Sequence, residues 1–182
     1  GEYEFLKNIS ATSEHTIGLL LSLLRNIPSA SNSVKDSIWD RNLYKGKEIS
    51  GKIFGILGYG RIGIKVARYA KAFGAKVIVH DVKKITSEEE GIVVVDTLDE
   101  LLKNCDILSI HVPFNQSTSN LIDQYKIDKM QKTSIIINTS RGEIINETDL
   151  LTALESSRIS GAALDVLADE QYKSYKTIPP TN

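Results

Sequence analysis

Three glycines, Gly58, Gly60 and Gly63, leave this chain few ways to fold. They follow a short apolar run, Lys52 to Leu57, and open an amphipathic stretch, Arg61 to Phe73, that leads to a second apolar run ending at Asp81. The spacing predicts strand, tight turn, helix and parallel strand, because a parallel return needs a crossover long enough for a helix. Each glycine then has its own task. Gly58 permits the turn, Gly60 lets a pyrophosphate approach the backbone, and Gly63 lets helix and strand pack closely. The amides of Arg61 and Ile62 fall at the helix N-terminus, where free donors and the helix dipole favour a phosphate. A carboxylate at Asp81 accepts from both ribose hydroxyls and repels a 2′-phosphate, so the unit predicts NAD rather than NADP. Lys83 and Lys84 are the residues that would greet that phosphate if they turned inward.

The remaining sequence keeps alternating. Ile92 to Val95 reads as a strand, and Thr97-Leu98-Asp99-Glu100 as a capping box opening a helix through about Lys103. Asp106 to His111, Ser134 to Asn138 and Ser160 to Asp165 read as strands, with a short helix in Ile122 to Met130 and one capped by Asn146 running to about Glu155. Alternating strands and helices, with nearly continuous apolar strands, predict an α/β, Rossmann-type doubly wound parallel sheet covered on both faces. An N-terminal long helix over residues 13–27 precedes it, with Ile17, Leu20, Leu21, Leu24 and Ile27 at helical spacing before Pro28. Leu19 and Leu23 widen that stripe beyond one core-facing side, which predicts cover from a second copy in a homodimer. The expected division is 1–50 for this helix and a polar connector containing Trp39, 51–170 for the nucleotide domain, and 171–182 for a tail.

Composition narrows the partners. Lys plus Arg number 22 and Asp plus Glu 23, a net charge of −1, so no global pull toward nucleic acid or an anionic membrane is expected. The longest nearly apolar stretch, Ile17 to Leu24, is far short of the roughly 18 residues of a membrane span. Cys105 is the single cysteine, which excludes an intrachain disulfide and a cysteine-based zinc cluster and fits a cytoplasmic, reducing compartment. No metal is expected. The chain opens on Gly1, its one methionine is Met130, and it closes on Thr177-Ile178-Pro179-Pro180-Thr181-Asn182, so it is expected to be a piece of a longer protein.

Ligands of such sheets bind beyond the carboxyl ends of the strands. Three of those ends carry His111-Val112-Pro113, Asn138-Thr139-Ser140-Arg141-Gly142 and Leu164-Asp165-Val166. With Ala11-Thr12-Ser13-Glu14-His15-Thr16, Leu24 to Pro28, Gly58 to Gly63 and Gly161 to Val166, the sequence resembles the NAD-binding domain of the D-isomer-specific 2-hydroxyacid dehydrogenases from about Phe5 to Glu170. The resemblance implies reversible hydride transfer between NAD and carbon 2 of a small D-2-hydroxy acid or its 2-keto partner. It implies that Arg141 is the catalytic arginine that clamps the substrate, a task suited to a planar, always-charged fork. Glu170 stands where the family keeps the glutamate that partners its acid–base histidine, although Gln171 follows where a proline is usual and Asp169 is the alternative one residue away. Asp165 resembles the aspartate facing the nicotinamide carboxamide, and Thr139 and Ser140 resemble cofactor contacts. Val112 and Pro113 would lie under the cofactor, and Thr118 near its phosphates. The family's acid–base histidine lies in a Pro-His context after a further strand, which does not occur before Asn182, and its substrate domain flanks this region. His15, His80 and His111 are therefore expected to be packed or capping residues, and the chain alone to bind cofactor without turnover. A NAD-sensing module on the same fold, or a catalytically dead truncated homologue, is the alternative.

Overall fold

The apolar runs pair as parallel strands, the central ones buried on both faces and Ile92–Val94 left as an exposed edge. β1 (Ile53–Leu57), β2 (Lys76–His80), β3 (Ile92–Val94), β4 (Ile107–Ile110), β5 (Ile135–Asn138) and β6 (Gly161–Leu164) form one sheet in the order β3-β2-β1-β4-β5-β6. Every neighbouring pair is parallel. The structure, a computed structural model, describes residues 9–86 and 89–168. The strand order reverses between β1 and β4, so their carboxyl ends part to leave a crevice, the place where ligands bind in doubly wound sheets.

The helices are α1 (Ala11–Leu24), α2 (Ile27–Lys35), α3 (Arg61–Ala72), α4 (Leu98–Asn104), α5 (Gln124–Ile127) and α6 (Glu147–Glu155). Strand alternation divides the core into two layers. Phe54, Ile56, Ile135 and Ile137 meet Ile17, Leu20 and Leu24 of α1 and Val66, Ala67 and Ala70 of α3 on one face. Leu57, Leu108, Ile110 and Ile136 meet Leu101 and Leu102 of α4, Ile127 of α5, and Leu150 and Ala153 of α6 on the other. At Gly55 a side chain would bring its Cβ to 2.8 Å from the Cys105 Cβ, so α4 approaches β1 as closely as glycine allows.

The N-terminal helix differs from expectation. It stops at Leu24, Asn26 turns the backbone through the left-handed region (φ 53°), and α2 begins at Ile27. Pro28 sits in the first turn of α2, where its missing N–H would have had no helical partner. The proline thus starts a helix within the stretch expected to be a connector. The breadth of the α1 stripe also has an explanation inside the domain. Ile17, Leu20 and Leu24 are buried, and Leu21 and Leu23 pack partly on the same core. The apolar side chains left outside are instead Ile27 and Val34 of α2 and Ile38, Trp39 and Leu43 just beyond it. No described helix is long and apolar enough to cross a membrane.

Candidate functional site

Packing dictates glycine at two of the three loop positions. Gly58 has φ 94°, and its Cβ would lie 2.8 Å from the carbonyl of His111 at the end of β4. At Gly63 a Cβ would lie 2.0 Å from the Gly58 carbonyl oxygen, which no small adjustment relieves. Gly60 is different. Its φ of −92° is ordinary, and a Cβ there would meet nothing within 4 Å. It is also the N-cap of α3 and offers no side chain to the first turn, whereas Thr97, Asp123 and Asn146 cap α4, α5 and α6 with side-chain oxygens. A bare, open backbone at the head of a twelve-residue helix fits a diphosphate.

Asp81 is fixed to this loop. Its Oδ2 accepts from the Tyr59 N–H at 2.8 Å and its Oδ1 from the Lys83 N–H at 2.8 Å. Each carboxylate oxygen can accept a second hydrogen bond, which leaves room for a diol. A cleft of about 710 Å³ opens here, within the range of small-molecule sites. It brings together Gly58, Gly60, Asp81, Val112, Pro113 and Thr118, and Lys83 and Lys84 line it as well. Arg61 and Ile62 begin α3 behind it, with the Ile62 side chain turned toward the core. The Thr118 hydroxyl donates to the Pro113 carbonyl and accepts from the Asn115 N–H, each at 2.8 Å, which shapes the turn after β4. His111, at the same strand end, lies 2.8 Å from the Ser109 hydroxyl, and burial pushes its imidazole pKa down to about 4. A second cavity of about 790 Å³ is lined by Lys45, Lys47 and Lys132 and meets none of the site residues expected from the sequence.

A neighbouring cluster gathers the ends of β5 and β6. Asn138 is buried; its Nδ2 donates to the Arg141 carbonyl at 2.8 Å and its Oδ1 accepts from the Ser140 N–H at 3.0 Å. The Ser140 hydroxyl donates to the Val112 carbonyl at 2.5 Å, which ties this turn to the wall of the cleft. The hydroxyls of Thr139 and Thr16 are 2.8 Å apart and buried, and Asp165 Oδ1 lies 2.9 Å from His15 Nε2. The Arg141 guanidinium is exposed and donates to the Ser140 carbonyl at 2.6 Å. At Gly142 a Cβ would stand 2.0 Å from the Leu167 backbone, so the chain leaving β6 passes against the arginine turn. Glu170 and Asp169 lie outside the described residues. Sequence reasoning quoted Asn138, His15 and Thr16 within motifs but gave them no part in the site. A buried amide ending an apolar strand was the available signal for Asn138, whereas no local pattern marks the pairing of α1 with β6.

A glycine loop at the head of α3, a carboxylate bonded to it at the end of β2 and a crevice where strand order reverses define a dinucleotide-binding domain. The sequence matches D-isomer specific 2-hydroxyacid dehydrogenase, NAD binding domain, over residues 17–180, and the chain belongs to that family. The D-3-phosphoglycerate dehydrogenase of Methanocaldococcus jannaschii is 42% identical over 165 residues, 90% of this chain and 32% of that protein. The D-lactate dehydrogenase of Aquifex aeolicus, solved with NAD and lactic acid, is 35% identical with a TM-score of 0.83, covering 88% of this chain and 48% of that one. An acyclic imino acid reductase solved with NADPH and D-Arg is 33% identical with a TM-score of 0.82, covering 92% of this chain and 54% of that one. The chain thus spans about a third of the length of the phosphoglycerate dehydrogenases it matches.

Proposed function

We propose that this chain is the cofactor half of a NAD-dependent oxidoreductase that interconverts a small D-2-hydroxy acid, of the phosphoglycerate, glyoxylate, hydroxypyruvate or lactate type, and its 2-keto acid. The observation that carries this reading is the hydrogen bond from the Tyr59 N–H to Asp81, which makes the phosphate loop and the ribose-reading acid one rigid unit. When bound, NAD supplies the hydride chemistry. Gly60 and the first turn of α3 hold the diphosphate, Asp81 takes the adenosine ribose, and Val112 and Pro113 form the apolar wall. Thr118, Thr139 and Ser140 complete the cofactor contacts, and Asp165 takes the carboxamide. Arg141 holds the substrate carboxylate, for which an exposed planar fork beside the cleft is suited. Glu170, on the family pattern, tunes an acid–base histidine.

None of this chain's histidines is placed to be that group. His80 Nδ1 is 3.2 Å from the Val95 carbonyl, His111 packs beside Ser109, and His15 is engaged by Asp165. The 182-residue chain is therefore expected to bind cofactor and turn nothing over. The polypeptide carrying this domain with its substrate segments is the one to assay with NADH and a panel of glyoxylate, pyruvate and hydroxypyruvate. In it Arg141→Ala is expected to lower kcat/KM by on the order of 10²-fold or more with NADH still bound. Turnover indifferent to Arg141 would refute its role. Pairing of two copies through the exposed apolar residues of α2 and the Trp39 stretch belongs to the same proposal, as does a cytoplasmic location, which suits the buried free thiol of Cys105.

A further inference from the structure

The chain entering α1 is tied to the phosphate-loop helix, because Lys65 of α3 donates to the Ile9 carbonyl at 2.8 Å and to the hydroxyl of the N-cap Ser10 at 3.0 Å. One turn further along, α1 meets the other half of the site. The buried Thr16–Thr139 pair, 2.8 Å apart, clamps the helix to the end of β5, and His15 Nε2 reaches Asp165 Oδ1 at the end of β6. The helix is thus a strut between the loop that reads phosphate and the strand ends assigned to nicotinamide. We infer that His15 is a positioning residue for the nicotinamide half of the cofactor: its imidazole holds one oxygen of Asp165 and so aims the other at the carboxamide.

The chemistry fits that division. An ionised carboxylate only accepts, so a bond to Asp165 requires a proton on His15 Nε2. Asp165 Oδ2 has no other hydrogen bond among the described residues and keeps its lone pairs for an amide donor. Without the imidazole, the carboxylate is free to swing into water, since nothing else described holds its side chain. Both side chains are about half exposed, at 51% and 45%, and ion pairs so open to water contribute little to folding. The bond therefore matters for orientation more than for the fold. The inference rests on the reading of Asp165 as the carboxamide partner.

The test uses the 182-residue chain with two ligands, NADH and ADP-ribose, the second lacking only the nicotinamide. His15→Leu is expected to weaken NADH about fivefold to tenfold, the weight of one charge-assisted hydrogen bond, and to leave ADP-ribose binding unchanged. His15→Gln, whose amide can place a donor where Nε2 stood, is expected to recover most of the loss. Equal weakening of both ligands, or no weakening of NADH, overturns the inference, as does failure of the glutamine to rescue. Asp165→Ala separates the two levels. If it costs NADH affinity but His15→Leu does not, the histidine has no positioning role while Asp165 keeps its own. If neither does, the reading of Asp165 itself has failed.

Discussion

A methyl group at residue 63 would stand 2.0 Å from the Gly58 carbonyl oxygen, so Gly63→Ala must push the start of α3 away from β1. The expected cost is about 3 kcal/mol of stability, the upper range for overpacking, read as a lower denaturation midpoint. Gly60→Ala has open space to enter and costs at most about 1 kcal/mol as a poorer N-cap, yet should weaken NADH on the order of tenfold or more. If the two variants behave alike, the separation of packing from binding is wrong. His111 gives a pH prediction. Its folded pKa, about 4, is below the ordinary 6.5, so between those values the unfolded chain binds more protons and the fold loses stability as pH falls. His111→Asn should flatten that part of the stability–pH curve, measured by denaturant melts from pH 7 to pH 4. At this scale the sequence was informative for the glycines and for Asp81, whose chemistry is local. It marked Asp165 only through the family resemblance and was silent on its contact with His15, which is made across 150 residues of chain.

Elements with a cap or a continuous apolar run were legible. Thr97 accepts from the Glu100 N–H and Asn146 from the Asp149 N–H, as the capping patterns require. Thr97→Ala should cost about 1 kcal/mol, checked by chemical denaturation. The break at Asn26 was not legible, because Pro28 serves equally as the stop of one helix and the first turn of the next. Which it does depends on the left-handed turn at Asn26, and that turn is set by packing of α1 on the sheet rather than by local propensity. The ion pairs that join α4 to α5 were likewise hidden. Asp99 contacts both Lys126 and Lys129, and these bonds hold its carboxyl down at about 2.

For the whole molecule, the parallel, doubly wound sheet followed from alternation and the glycine loop, whereas the surface left for association did not. The apolar excess lies on α2 and its continuation, with Trp39 79% exposed, rather than on α1. Trp39→Ser with Ile38→Ser should shift the sedimenting species from a dimer to 20.1 kDa at micromolar concentration, with the melting profile retained. A wild-type chain that is monomeric throughout that range would contradict pairing through this face. The cofactor site is closest to the central claim, and relatives of similar fold have been solved with either NAD or NADPH, so fold alone does not choose. On the proposed reading Asp81, held by Tyr59 and Lys83, makes the choice, because a 2′-phosphate would meet a fixed carboxylate. The deciding measurement is calorimetric titration of this chain and of Asp81→Ala with NADH and NADPH in the same buffer. The account predicts that the wild type binds NADH at least about tenfold more tightly than NADPH and that Asp81→Ala narrows the gap; equal or tighter binding of NADPH by the wild type would contradict it.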